Sequence, residues 1–145
     1  MVDIRTVLCP IDFSQGSSAA TEYAIELAQK LGARVHLLHV YPLPMLAAPD
    51  GGLMVTPQTV AQMSEEAAQA TKRIGEEWRQ KGFEIETHVG DGAPHLEIVR
   101  TAERLHADLI VMGTHGRSGL AHFLIGSVAE KVVRSSPIPV LTVRL

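Results

Sequence analysis

Five short apolar stretches punctuate the chain, at positions 6–9, 35–40, 83–89, 109–112 and 139–143. Leu109, Ile110, Val111 and Met112 follow one another without a polar break. A strand reads this way when helices cover both of its faces, as in a parallel sheet. The stretch 83–89 alternates instead, Phe83, Ile85, Thr87 and Val89 against Glu84, Glu86 and His88, which predicts one wet face near a sheet edge. Helical periodicity fills the gaps. Ala20, Tyr23, Ala24, Leu27, Ala28 and Leu31 predict a first helix, closed by Gly32. Thr56 and Pro57 open a second, a capping hydroxyl followed by proline at the first helical position. Its narrow stripe runs Val60, Met63, Ala67, Ala70, Ile74 and Trp78, and Gly82 ends it. A third helix starts near Pro94 with Ile98, Val99, Ala102 and Leu105, and a short fourth runs over 127–134.

Strand and helix therefore alternate through five strands and four helices. That alternation predicts an α/β fold with a parallel sheet, right-handed crossovers and helices on both faces. The expected arrangement is one doubly wound five-stranded sheet in the order 3-2-1-4-5, one of the common orders of such folds. At 145 residues the chain reads as one domain, 1–145, large enough to bury about 70% of its unfolded surface without a staple. The connection 42–55 is long and holds Pro42, Pro44, Pro49, Gly51 and Gly52. It reads either as a surface connection or as a lid or partner loop.

Composition narrows the classes. Cys9 is the only cysteine, so no internal disulfide and no cysteine-based zinc site is available. Thirteen basic and sixteen acidic side chains give a formal charge of −3, with no basic block to neutralise a nucleic-acid backbone. No apolar run approaches the ~20 residues of a spanning helix. The start of the chain lacks the pattern of a secretion signal, and the expectation is a cytoplasmic protein. The seven histidines read as structural or surface residues. His36 and His39, three apart on a strand, point to opposite faces and cannot share a metal. Cys9 reads as a small buried apolar residue, with nothing basic beside it in sequence to lower its pKa.

Open parallel sheets take ligands outside the carboxyl ends of their strands, where the strand order reverses. In this sheet that means the ends of the first and fourth strands, around Cys9-Pro10-Ile11-Asp12 and Met112-Gly113-Thr114-His115-Gly116. Gly113, Gly116 and Gly119 crowd the second of these, and Gly126-Ser127 then opens the fourth helix. Glycines let backbone N–H groups turn toward an anion, and a helix start adds unpaired donors and partial positive charge. Arg117 is either a phosphate contact or a solvated loop charge, and Ser127 either a hydroxyl donor or an ordinary first-turn residue. Asp12 is either an Asx turn before the first helix or a ribose or magnesium ligand. The P-loop pattern G-x-x-x-x-G-K-[ST] and a G-x-G-x-x-G after the first strand are both absent. No G-x-S-x-G elbow and no paired acid and base emerge, so no catalytic residue is assigned.

The spacing Gly113, Gly116, Gly126-Ser127 resembles the G-x2-G-x9-G-[ST] pattern of ATP-binding universal stress proteins. The resemblance runs over nearly the whole chain: 4–12, Val40, Gly90-Asp91-Gly92-Ala93-Pro94, 107–113 and 136–141. It implies ATP, with Mg2+, at the strand ends. Pro10, Ile11 and Asp12 would border the adenosine, with Asp12 reaching ribose or metal. The backbone of Val40 would meet the adenine edge, and Met112 and Gly113 would line the site beneath the sugar and first phosphate. Gly116, Arg117, Gly126, Ser127 and Val128 would hold the phosphates. It also implies a homodimer through the last strand, 138–143, where Pro139 suits an edge. The expected function is an ATP-binding stress-response regulator or sensor with an unknown downstream protein partner. Two alternatives stay open, a slow Mg-dependent ATPase or adenylate-transferring enzyme, and a nucleotide-independent dimerisation module.

Overall fold

Alternate positions of the central strands bury into different cores. Val7, Cys9, Ile11, Val35, Leu37 and Val111 face one way, Leu8, Leu38, Val40, Ile110 and Met112 the other. This explains the unbroken apolar runs, since neither face of the inner strands meets water. The computed structural model describes residues 1–43, 46–47, 49–51, 53–54, 56–115 and 125–144. In chain order the elements are β1 (Thr6–Ile11), α1 (Gln15–Leu31), β2 (Arg34–Tyr41), β3 (Leu46–Ala47), β4 (Leu53–Met54), α2 (Pro57–Gln80), β5 (Ile85–Asp91), α3 (Pro94–Arg104), β6 (Leu109–Gly113), α4 (Ser127–Ser135) and β7 (Val140–Val143). The main sheet runs β5-β2-β1-β6-β7, all parallel. Counted among its own five strands this is the expected order 3-2-1-4-5. Helices α1 and α2 pack on one face, α3 and α4 on the other. β5 and β7 are the edges, as the alternation in 83–89 and the proline at 139 predict.

Local chemistry sets the boundaries. Ser14 caps α1 by accepting from the Ser17 N–H at 3.1 Å, and Gly32 closes it in the left-handed region at φ 68°. Thr56 caps α2 through the Thr59 N–H at 3.1 Å, with Pro57 following. One Asp108 carboxylate oxygen accepts from the Arg5 and Thr6 N–H groups, both at 2.9 Å, and so ties the start of β1 to the start of β6. The buried face of α1 differs from the predicted stripe. Ser17, Ala20, Thr21, Ala24, Ile25 and Ala28 are buried, while Tyr23 and Leu31 are each 47% exposed. The helix is rotated so that its small residues meet the sheet, because a close approach needs short side chains. The connection 42–55 carries the antiparallel pair β3 and β4, a regular feature that its proline and glycine content hides. Among the described residues no helix is long and apolar enough to cross a membrane.

Candidate functional site

β1 lies between β2 and β6, and its following helix α1 and the α4 that follows β6 pack on opposite faces. At this switch point the carboxyl ends of the strands border a cavity of about 280 Å³. Nine of the expected residues line it. Pro10, Ile11 and Asp12 come from the end of β1, and Val40 from β2. Met112 and Gly113 end β6, while Gly126, Ser127 and Val128 begin α4. Gly116 and Arg117, the other two, lie outside the described residues, as does Gly119.

Asp12 serves the turn into α1. Its Oδ1 accepts from the Ser14 N–H at 3.0 Å and from the Ser14 hydroxyl, and its own N–H donates to Ser17 Oγ at 3.1 Å. The Asx-turn reading of this residue is thus realised, and the same half-buried side chain stands at the cavity wall. Phe13 follows with φ 65°, left-handed for a bulky residue, and its ring rests 4.4 Å from that of His39. His39 in turn donates its Nδ1–H to the Ile11 carbonyl at 2.9 Å. His39 therefore holds the end of β1 from the α1 and α2 face, away from the cavity.

Gly113 has a packing reason to be glycine. A Cβ there would stand 2.8 Å from the Gly16 carbonyl oxygen and 3.0 Å from its carbon. The first turn of α1 thus lies directly on the end of β6. Gly126 is the N-cap of α4 and supplies no side-chain cap to it. Its N–H is taken by the Thr114 carbonyl, which joins the exit of β6 to the entrance of α4. Ser127 and Val128, in the first turn of α4, line the cavity, and a helix start carries unpaired N–H donors and the positive end of the helix dipole.

Five further lining residues escaped the sequence reading, Ser17, Leu38, Pro94, Ile98 and Ala129, while Thr114 and His115 lie in the segment after the fourth strand that it singled out. Two carried a usable signal. Leu38 shares a face with Val40 by the period of two, and Pro94 starts the helix after the third strand, whose carboxyl end lies at the same rim. His115 Nδ1 pairs with Thr114 Oγ1 at 3.0 Å, and its buried Nε2 has no hydrogen-bond partner among the described residues. The cavity thus has an apolar lining of Leu38, Val40, Ile98 and Met112 and a polar lining of Asp12, Ser17, Thr114, His115 and Ser127. Among the described residues no Lys or Arg lines it. Cys9 is fully buried, and burial pushes its thiol up to about 12 against the opposing hydrogen bond from Thr21. It is a buried core residue, as the sequence suggested.

A doubly wound parallel sheet with a cavity at its switch point places the chain in a broad α/β class, and comparison with known proteins narrows it. The universal stress protein family matches residues 3–144, so the chain belongs to that family. It is 37% identical over 142 residues to Universal stress protein MJ0531 of Methanocaldococcus jannaschii, spanning 97% of this chain and 82% of that one. The solved structure of MJ0577, from the same organism, superposes with a TM-score of 0.82 at 31% identity, covering 99% of this chain and 98% of the other. A universal stress protein solved in complex with cAMP superposes with a TM-score of 0.71 at 26% identity, covering 97% of each chain.

Proposed function

We propose that the chain binds ATP at the switch-point cavity and acts as a nucleotide-linked stress-response regulator. The observation that carries this reading is the joining of an apolar lining to an uncapped helix start in one cavity. Adenine would lie on Leu38, Val40, Ile98 and Met112, which lose little by excluding water. Asp12 and Ser17 would meet the ribose. At about 280 Å³ the cavity stands near the foot of the ~300–1,000 Å³ range of small-molecule sites, the size of a nucleoside. The phosphates would extend outward along Gly126, Ser127 and Val128, held by backbone N–H groups and the helix dipole. Gly116 and Arg117 belong to the same proposed phosphate set. Mg2+ keeps several waters and takes one or two carboxylates besides phosphate oxygens. Asp12 is the carboxylate of the lining suited to it. The related protein solved with cAMP supports an adenine nucleotide as the ligand class.

Regulation would follow from linkage: ATP binding stabilises one arrangement of the α4 entrance and so changes what the protein presents to a downstream partner. The proposed unit is a homodimer formed through 138–143. β7 has β6 on one side, and its other edge is unpaired within the described chain. Such an edge is a template for a second strand. Native mass spectrometry of the purified protein tests both parts. Two chains carrying an adenine nucleotide support them. A monomer that stays nucleotide-free in millimolar Mg-ATP overturns them.

A further inference from the structure

Away from the cavity, the pairing of β2 with the edge strand β5 sets His36 opposite Glu86 and Leu38 opposite His88. Leu38 and Val40 bury toward α3 and α4, so His36 shares that face. Ile85 buries toward α1 and α2, so Glu86 and His88 turn to the α3 side as well. His36 Nδ1 and His88 Nε2 stand 2.8 Å apart, the rings meeting edge to edge with centroids 5.1 Å apart and planes 27° apart, and Glu86 Oε2 lies 3.5 Å from His36 Nδ1. All three ligand atoms fall within 4.8 Å of one another.

We propose that His36, Glu86 and His88 form a binding site for one divalent transition-metal ion of the zinc type, separate from the nucleotide cavity. Two imidazoles and a carboxylate are a donor set that zinc accepts, with water in the fourth position. Tetrahedral ligands at Zn–N and Zn–O distances near 2.0–2.1 Å stand about 3.3 Å apart. The observed spacings bracket that value, so the imidazoles need separate by only about half an ångström. His36 is buried and His88 half-buried, which holds the rings in place, while Glu86 is exposed and can swing to complete the shell. Burial lowers the pKa of both histidines, the neighbouring His36 lowers that of His88 further, and Arg34 at His36 and Arg104 at His88 act in the same direction against the opposing Glu86 carboxylate. Both rings are therefore neutral near pH 7, the form that binds metal. In the metal-free pair one facing nitrogen carries the N–H that the other accepts. On coordination that proton moves to the far nitrogen of the same ring, so no net proton is lost. The two guanidinium groups oppose a bound cation, which makes this a site of moderate affinity.

The ion would clip β5 to β2, so it should raise the melting temperature as well as bind. The test is a Zn2+ titration of the chelator-treated full chain against a fluorescent zinc indicator. The expected result is one Zn2+ per chain, a higher melting temperature, and no competition from Mg2+. His88→Gln should weaken binding at least about tenfold, the lower end of what removing even a supporting group costs a metal site. Glu86→Gln changes only an exposed side chain and should weaken binding with the fold intact. His106→Gln, at an exposed histidine elsewhere, should leave the affinity unchanged. Zn2+ binding that is absent from the wild type, or equal in the wild type, His88→Gln and Glu86→Gln, overturns the proposal.

Discussion

Gly113 lies against the backbone of Gly16, so close that a Cβ at position 113 would stand 2.8 Å from the Gly16 carbonyl oxygen. One contact thus locks the end of β6 to the first turn of α1, and both line or adjoin the cavity. Gly113→Ala must push backbone rather than a flexible side chain. It should cost ~1–3 kcal/mol, the range of overpacking, read as a shift in the urea midpoint. Nucleotide affinity should fall too, because the displaced turn carries Ser14 and Ser17, the partners of Asp12.

Ser127 separates binding from folding. It is exposed, begins α4 and lines the cavity. Ser127→Asp places a negative charge in the first turn of the helix, which raises stability by ~0.3–1 kcal/mol. The same charge opposes phosphate. Calorimetry should show ATP affinity reduced at least about tenfold, or 1.4 kcal/mol, while thermal unfolding is unchanged or later.

Asp12→Asn keeps an oxygen to accept the Ser14 N–H and so should preserve the turn into α1. It removes the charge that a magnesium ion needs. ATP affinity measured with Mg2+ should fall more than affinity measured in chelator. An equal loss in both conditions would assign Asp12 to the ribose alone.

The Cys9 thiol makes stability fall at high pH. Its pKa is pushed from an ordinary 9.0 up to about 12 by burial in the folded chain. Below pH 9 both states keep the proton and the contribution is intact. Between about 9 and 12 only the unfolded chain ionises, so stability drops by up to ~1.4 kcal/mol per pH unit. Cys9→Ala should flatten this part of the profile relative to the wild type. The native thiol should also resist disulfide reagents until the protein opens.

Thr142→Pro tests the proposed dimer. The carbonyls of Pro139 and Val143 accept from Ile110 and Thr114 of the β6 side. By the period of two, the backbone groups of Thr142 point to the open edge. Proline there removes an outward N–H and leaves the β6 ladder whole. Light scattering should find a monomer where the wild type is a dimer.

The parallel sheet with helices on both faces was legible because unbroken apolar runs such as 109–112 require cover on both sides and strand and helix alternate strictly, while its order 3-2-1-4-5 was taken from the common form of such folds. The cavity was legible because the switch point follows from strand order, and Gly126-Ser127 marks a helix start beside it. What stayed hidden depends on packing between distant segments. The face of α1 was misjudged because Tyr23 and Leu31 fit the apolar period, yet the close contact at Gly113 turns the small residues inward. Ile98 joins the cavity only once α3 converges on the β6 exit. The approach of His36 to His88 depends on the register of β2 against β5, which no single segment encodes.

Hydrogen–deuterium exchange with and without Mg-ATP tests the location of the site most directly. The account predicts slower exchange at 126–129 and at 10–17, with the β2–β5 edge around His36 and His88 unchanged. Bound ATP that leaves 126–129 and 10–17 exchanging as before would contradict it.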